Sequence, residues 1–187
     1  GPTSFRALLM RSAERSGMSL NPETQGALDA LYDPGSVAVV GASPDSWYAA
    51  NTIDHLLEYG YDGDLHLVNP GRDEAWGRPC HDSITDVPEV VDLVVVSVPR
   101  QFVVDVVRDA GEMGVPVALV ITAGFGEADY EGERSEAQLV EAAREAGIRV
   151  VGPNCIGFAS GRTSTVITPT CSRAPDPGRI GLESQSG

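Results

Sequence analysis

The sequence contains no lysine, since all thirteen basic residues are arginine, and it carries 27 aspartates and glutamates. The formal net charge is −14 over 187 residues. Non-specific binding to nucleic acid or to anionic membranes needs clustered positive charge, so this composition excludes both as expected partners. An acidic, lysine-free chain fits adaptation to molar salt, where the Debye length falls to about 3 Å. A genome rich in G and C would favour arginine over lysine as well, and the composition alone leaves both explanations open.

Long apolar runs and paired cysteines are also lacking. No stretch approaches the roughly 18–20 consecutive apolar residues of a membrane span. The three cysteines, Cys80, Cys155 and Cys171, cannot form a complete disulfide set and show no CxxC spacing, so no zinc site is expected. A reducing, cytoplasmic location follows as the expectation. The hydrophobic fraction of 42% and the charged fraction of 21% are typical of a globular domain.

Short apolar runs alternate with segments of helical periodicity from about residue 31 onward. The strands are predicted at 36–40, 65–68, 91–98, 117–121 and 149–151, and the helices at 49–59, 101–113 and 135–146. Strands that are apolar throughout are buried on both faces, which is typical of parallel strands joined by right-handed crossovers. The pattern therefore predicts an α/β fold with a Rossmann-like, doubly wound, mainly parallel sheet. After Gly157 the pattern ends, and a sixth strand is expected only at 179–182.

The pattern of strands and helices predicts three parts of the chain. Residues 1–26 are expected to form an N-terminal extension, in which 1–2 look like a tag remnant and 3–17 can form a short amphipathic helix. Residues 27–160 form the Rossmann-like domain. Residues 161–187 are expected to be a linker and the start of a truncated second domain, because a strand followed by a Ser/Gly turn normally opens another βα unit.

Small or polar residues follow every predicted strand. In an open parallel sheet, ligands bind beyond the carboxyl ends of the strands. The first loop has one glycine where a dinucleotide-binding loop has three, and Asn69 stands where an acidic residue would hold the adenosine ribose, so both features count against NAD. A nucleotide-like anion held by backbone amides, Asn69 and Arg72 is predicted instead. The loops are Gly41-Ala42-Ser43, Asn69-Pro70-Gly71-Arg72, Ser97-Val98-Pro99-Arg100, Thr122-Ala123-Gly124-Phe125-Gly126 and Gly152-Pro153-Asn154-Cys155-Ile156-Gly157.

These loops, taken in order and with the terminal Ser184-Gln185-Ser186-Gly187, resemble the CoA-binding domain of NDP-forming acyl-CoA synthetases. That family includes ADP-forming acetate–CoA ligase and, more distantly, the α subunit of succinyl-CoA synthetase. The resemblance implies coenzyme A as the ligand and an ATP-grasp domain or subunit as partner. ATP, ADP and Mg would enter only through domains outside this chain. The implied reaction converts acyl-CoA, phosphate and ADP to acid, ATP and CoA through an acyl phosphate and a phosphohistidine.

The resemblance also implies a role for each matching position. The first loop and the start of the next helix would face the CoA phosphates, the second loop would take the nucleotide end, and the third would line adenine or pantetheine. The fourth and fifth loops would lie near the pantetheine arm and its thiol. The predicted CoA-binding residues are Gly41, Ala42, Ser43, Ser46, Trp47, Asn69, Pro70, Arg72, Val98, Pro99, Thr122, Ala123, Gly124, Asn154 and Cys155.

Two departures from the family pattern concern the phosphate end of the site. A lysine usually follows the Asn-Pro pair, whereas this chain has Gly71 and then Arg72. The first loop carries Trp47-Tyr48 where later glycines are common.

No catalytic residue is assigned to the chain. None of His55, His66 and His81 matches the position of the family's phosphohistidine, and each is expected to be a surface or loop residue. Cys155 is expected to be a loop thiol near the ligand and not a nucleophile. The acidic run at 127–133 is expected to be a solvated face. The fragment should therefore bind CoA and complete no reaction. A non-catalytic CoA-sensing module, such as the regulatory part of a protein acyltransferase, is the alternative, and an NAD-dependent Rossmann protein is a third possibility.

Overall fold

The computed structural model of the chain describes residues 21–178 and 181. The helices in this part are α1 (Pro22–Tyr32), α2 (Trp47–Glu58), α3 (Arg100–Glu112) and α4 (Tyr130–Glu145), with a 3-10 turn at Ile84–Asp86. The strands are β1 (Ser36–Val40), β2 (Asp64–Val68), β3 (Glu74–Ala75), β4 (Arg78–His81), β5 (Leu93–Val96), β6 (Val117–Val120), β7 (Arg149–Val151), β8 (Phe158–Ser160) and β9 (Thr165–Ile167). The helix predicted over 3–17 and the terminal 184–187 turn lie outside the described residues, as does the strand predicted at 179–182 except for Gly181.

Seven of the strands form one sheet in the order β3-β4-β2-β1-β5-β6-β7. Every neighbouring pair is parallel except β3 with β4, which form an antiparallel hairpin. The predicted α/β, doubly wound, mainly parallel sheet is confirmed. The chain passes from β1 to β2 on one side and later returns to β5 on the other side of β1. The strand order therefore reverses at β1, which is the topological switch point of the sheet.

Helices cover the sheet on both faces. Val37 and Val39 of β1 pack into a core that includes residues of α1 and α2, whereas Ala38 and Val40 pack on the opposite side with residues of α3 and α4. All five residues of β1 are buried. The apolar character of the strand thus follows from its burial on both faces.

Glycines end three of the helices. Gly60, Gly114 and Gly147 follow α2, α3 and α4 with φ angles of 83°, 96° and 71°. A left-handed residue after the last helical turn satisfies carbonyl groups that would otherwise be unpaired, and glycine adopts this conformation without steric cost. The helix ends predicted near these glycines are confirmed.

The start of α4 differs from the prediction. The helix was expected from residue 135 but begins at Tyr130, five residues earlier. The Asp129 carboxylate accepts a hydrogen bond from the Gly132 amide at 2.7 Å and caps the helix. A polar first turn has no apolar periodicity, so only the cap marks this beginning of the helix.

The segment after Gly157 also differs, because it contains an antiparallel hairpin of β8 and β9. Ile167 of β9 is fully buried in the same core as α1 and α2. His55 of α2, expected on the surface, is half-buried, and its Nδ1 lies 2.6 Å from the Thr168 carbonyl oxygen. Three-residue strands are too short for a clear alternation, and the burial of Ile167 depends on contacts distant in sequence.

The domain start that the sequence predicts at residue 27 falls inside a helix. α1 begins at Pro22, before the domain start expected at residue 27, and Ala27 and Leu31 bury one side of it against the sheet. Asn21 caps α1 by accepting a hydrogen bond from the Thr24 amide at 2.7 Å. None of the helices in the described ranges is long and apolar enough to cross a membrane.

We predict opposite effects for alanine at two helical glycines. A Cβ on Gly111 of α3 would lie 2.5 Å from the Ala146 Cβ, whereas one on Gly26 of α1 meets nothing within 4 Å. Gly111→Ala should therefore destabilise the protein by about 1–3 kcal/mol through overpacking. Gly26→Ala, the matched control, should stabilise it by up to about 1 kcal/mol, because alanine favours a helix. Urea unfolding measures both free energies, and an equal gain from the two substitutions would contradict the close packing of α3 on α4.

Candidate functional site

The loops at the carboxyl ends of the parallel strands lie along one edge of the sheet. The loop after β1 lies between those after β2 and β5, at the switch point. In sheets of this type, that crevice is where ligands bind. The fifteen residues predicted to form the site all lie in these loops or at the first residue of the helix that follows.

Asn69 joins the loops after β1 and β2. Its side-chain amide donates to the Ala42 carbonyl oxygen at 2.7 Å, and its Oδ1 accepts from the Gly71 amide at 2.9 Å. The backbone amide of Asn69 donates to the carbonyl oxygen of His81 at the end of β4. A single side chain therefore fixes the conformation of both loops, which gives Asn69 a positioning role whatever the ligand.

Gly41 brings the β1 loop against the β5 loop. Its φ is 91°, and a Cβ at this position would collide with the Ser97 carbonyl oxygen. The Gly41 amide donates to the Val68 carbonyl oxygen at 2.9 Å. Only a residue without a side chain fits this conformation and this spacing.

Three hydrogen bonds continue the connection towards the other end of the edge. The Thr122 hydroxyl donates to the Val98 carbonyl oxygen at 2.7 Å, and the Asn154 amide donates to the Thr122 carbonyl oxygen at 3.0 Å. The Arg100 guanidinium donates to the Gly124 carbonyl oxygen. The loops after β5, β6 and β7 are thereby held to one another.

Cys155 has a structural contact in the last loop. Its Sγ accepts a hydrogen bond from the Gly157 amide at 3.3 Å, and its amide donates to the Val120 carbonyl oxygen at 3.3 Å. These contacts agree with the expected loop thiol. Asn154 beside it is exposed and has a φ of 56°, in the left-handed region.

Two helices begin at the switch point. In α2, the Ser46 hydroxyl accepts a hydrogen bond from the Ala49 amide. The first intrahelical bond runs from the Ala50 amide to the Ser46 carbonyl oxygen. The amides of Trp47 and Tyr48 come before this bond in the first turn. In α3, Pro99 occupies the cap position and gives no side-chain hydrogen bond. The first amides of a helix lack intrahelical acceptors and carry a partial positive charge, which suits an anionic ligand.

Both arginines at this edge have acidic neighbours. Arg72 forms an ion pair with Asp45 across the first two loops. Arg100 lies 3.6 Å from a carboxylate oxygen of Asp129 and 3.6 Å from one of Glu131. An anionic ligand would meet positive charge that is already partly neutralised.

The acidic run at 127–133 is more than the solvated face that the sequence suggested. Glu127 accepts from the Gly124 amide at 2.6 Å and from the Phe125 amide at 3.1 Å. The hydrogen bond from Gly124 lowers the pKa of the Glu127 carboxyl below its ordinary value. Asp129 caps α4, and both Asp129 and Glu131 face Arg100. These carboxylates shape the loop after β6.

Within the described residues, the loops of this edge do not contain a metal-binding cluster, and a groove lies beside them. In residues 21–178 and 181, no group of three or more His, Cys, Asp or Glu side chains is placed to hold a metal ion. A groove of about 440 Å³ runs between α3 and α4 and shares only Arg100 with the loops described above. The candidate site is therefore the open crevice at the carboxyl edge.

Residues 35–161 match the family model described as the CoA-binding domain. The chain belongs to the CoA-binding domain family. The resemblance predicted from the sequence is thereby confirmed at the level of the domain.

Relatives of known name share this domain. The chain is 42% identical to ADP-forming acetate–CoA ligase I of Archaeoglobus fulgidus over 161 residues, which are 86% of this chain and 23% of that protein. It is 40% identical to the α subunit of ADP-forming acetate–CoA ligase I of Pyrococcus furiosus over 168 residues, 86% of this chain and 36% of the subunit. The chain thus spans between about a quarter and a third of these proteins.

A solved structure agrees with the fold. Acetyl-coenzyme A synthetase 1 of Ca. Korarchaeum cryptofilum superposes with a TM-score of 0.71 at 39% identity, covering 76% of this chain and 31% of that one.

Sequence reasoning did not select three residues that shape this CoA-binding domain: Asp45, Arg100 and Glu127. Arg100 stands directly after Pro99, at the start of the helix that follows β5. A basic residue at that position could have been predicted from the sequence to lie at the ligand edge. Glu127 follows Gly124 by three residues. This spacing lets the Glu127 carboxylate accept a hydrogen bond from the amide at the start of the same turn. The partner of Asp45 is Arg72, 27 residues away, so no local pattern could have indicated the pair.

We predict that the stabilising effect of the Glu127 charge depends on pH. Because the pKa is lower in the folded protein, the effect is present above the unfolded pKa, near 4.3, and is lost as pH falls through the folded pKa. Glu127→Gln should therefore destabilise the CoA-binding domain at pH 7, and the difference from wild type should shrink below about pH 4. Urea unfolding between pH 7 and pH 3 measures this difference. A value that is constant across the range would contradict the role of the ionised carboxylate.

Proposed function

We propose that the chain binds coenzyme A along the carboxyl edge of its sheet and serves as the CoA-binding part of an ADP-forming acyl-CoA synthetase. The observation that carries the proposal is the set of five loops held together along the carboxyl edge of the sheet by Asn69, Gly41 and Thr122. In such an enzyme, acyl-CoA, ADP and phosphate would give acid, ATP and CoA. An ATP-grasp domain or subunit would handle ATP and Mg.

The nucleotide end of CoA would lie at the loops after β1 and β2. Gly41, Ala42 and Ser43 leave the backbone accessible, and the first amides of α2 supply donors for phosphate oxygens. Arg72 is the cation in these two loops, and its side chain is 33% exposed. A ligand phosphate would compete with Asp45 for this guanidinium.

The pantetheine arm would follow the remaining loops. Val98 and Pro99 offer apolar contact after β5. Thr122, Ala123 and Gly124 after β6 are small and leave room for an uncharged chain, and Asn154 is exposed beyond β7. Amide groups of pantetheine need hydrogen-bonding partners as well as apolar contact, and backbone groups in these loops can provide both.

The role of this part would be binding and orientation. The Cys155 thiol is engaged by the Gly157 amide, His55 by the Thr168 carbonyl and His66 by Glu89, whose carboxylate lies 2.7 Å away. Holding CoA in one geometry contributes to catalysis by reducing the entropy lost on reaching the transition state. The covalent steps would take place on groups of the wider enzyme.

The proposal predicts that CoA stabilises the protein and that NAD does not. At 100 times its dissociation constant, a ligand of the native state adds about 2.7 kcal/mol to the free energy of unfolding. Thermal unfolding with CoA, dephospho-CoA and NAD, each at low and at molar KCl, measures the effect. Molar salt should leave most of the stabilisation, because it screens the repelling carboxylates as well as the arginines. Stabilisation by NAD with none by CoA would refute the proposal.

We further predict that Arg72 distinguishes CoA from dephospho-CoA by contacting the 3′-phosphate. Arg72→Ala should abolish the preference for CoA, and Asp45→Asn should increase it, because the guanidinium then loses its competing carboxylate. Titration calorimetry with both ligands gives the ratio of dissociation constants. Arg78→Ala removes an exposed arginine at the first residue of β4 and should leave the ratio unchanged. An unaltered preference in Arg72→Ala would exclude this role.

A further inference from the structure

Two neighbouring aromatic side chains stand exposed at the first turn of α2. Trp47 is 57% exposed and Tyr48 is 50% exposed. Their rings meet edge to face, with centroids 5.0 Å apart and an interplanar angle of 88°. Exposing this much aromatic surface is unfavourable in water, since removing apolar area from water lowers the free energy. A ligand that covers these rings would recover that free energy.

The position of the pair indicates the kind of ligand. Trp47 is the first residue of α2 and directly follows the loop that leaves β1 at the switch point. Asp45, two residues earlier, holds the Arg72 guanidinium, so a cation and the aromatic pair belong to the same two loops. An exposed indole face in the same loops as a cation and free helix amides matches a nucleotide, which offers a base to stack and phosphates to bind.

Within CoA, only the purine has an aromatic face. The pantetheine arm is a flexible chain with amides and a thiol, which gains nothing specific from a flat indole. We propose that the indole face of Trp47, supported edge to face by Tyr48, is the platform on which the adenine ring of CoA stacks. The inference rests on the proposed function and assigns one part of the ligand to one part of the loops. Val98 and Pro99 then serve the pantetheine arm.

The conformation of the loop supports a stable platform. Ser46 caps α2, and the Asn51 side-chain amide donates to the Trp47 carbonyl oxygen at 2.7 Å. The Ser43 hydroxyl accepts from the Asp45 amide at 3.2 Å, and the Ser43 carbonyl accepts from the Ser46 amide at 3.0 Å. The backbone of the aromatic pair is therefore fixed before any ligand binds, so stacking costs little ordering entropy.

The test uses the fact that the chain has two tryptophans. In a Trp76→Phe background, Trp47 is the sole indole, and CoA and dephospho-CoA should both quench its fluorescence. The purine-free 4′-phosphopantetheine, added at concentrations that stabilise the protein thermally, should leave the fluorescence unchanged. Loss of the ring in Trp47→Ala should weaken CoA binding on the order of tenfold, as base–aromatic stacking does elsewhere. Trp47→Phe should restore most of the affinity.

Controls separate stacking from a structural effect. Tyr130 is also an exposed aromatic residue at the start of a helix, and Tyr130→Ala should leave CoA affinity unchanged. Because Trp47 is exposed, Trp47→Ala should melt within a few degrees of wild type without ligand. Normal CoA affinity in Trp47→Ala, with no quenching, would overturn the inference and leave the proposed function standing. If neither CoA nor 4′-phosphopantetheine binds the wild-type protein, both proposals fail.

Discussion

The close approach of the β1 loop to the β5 loop is the constraint on which the carboxyl edge depends. β1 is hydrogen-bonded on both sides, to β2 and β5, and buried on both faces, so the chain can leave it only by passing between its neighbours. Gly41 makes this possible, because a side chain there would collide with the Ser97 carbonyl. The turn presents the Ala42 carbonyl to Asn69, which orders the next loop. The start of α2, with its cap and first amides, is placed by the same turn.

Electrostatics at this edge differ from those of a simple anion site. The chain has a net charge of −14, and each arginine of the edge already contacts a carboxylate. Backbone amides carry no net charge, and they keep their partial charges in salt. In an acidic protein they therefore suit anion binding better than flexible arginine side chains do. Arg72 and Arg100 fit different roles in this arrangement. Arg72 has one carboxylate partner, which on the proposed function a phosphate would replace, whereas Arg100 binds a carbonyl oxygen and lies near two acidic residues.

The sequence was sufficient for features that depend on local pattern. β1 and β7 have the predicted bounds, and the order of strands and loops along the edge follows from the apolar runs and the glycines after them. It was insufficient where contacts between distant residues decide. The hairpin of β8 and β9 is stabilised by packing Ile167 against α1 and α2, and the Arg72–Asp45 pair joins separate loops. Glu127 shows a third case, because its carboxylate caps a turn within three residues, yet the surrounding acidic residues made it resemble an ordinary solvated run.

The geometry of the edge limits the kind of ligand that can use all of it. Trp47 follows β1 and Asn154 follows β7, and β5 and β6 lie between those strands. Neighbouring strands are about 4.8 Å apart, so the two residues belong to loops separated by roughly 14 Å across the sheet. A single nucleotide placed at the β1 end would leave the β6 and β7 loops without contact. A nucleotide extended by a long, mostly uncharged arm would reach them, with its charged end at the helix amides and Arg72 and its arm along Thr122, Gly124 and Asn154. Coenzyme A has this distribution of charge, and on the proposed function its thiol would emerge at the end of the edge farthest from the aromatic pair.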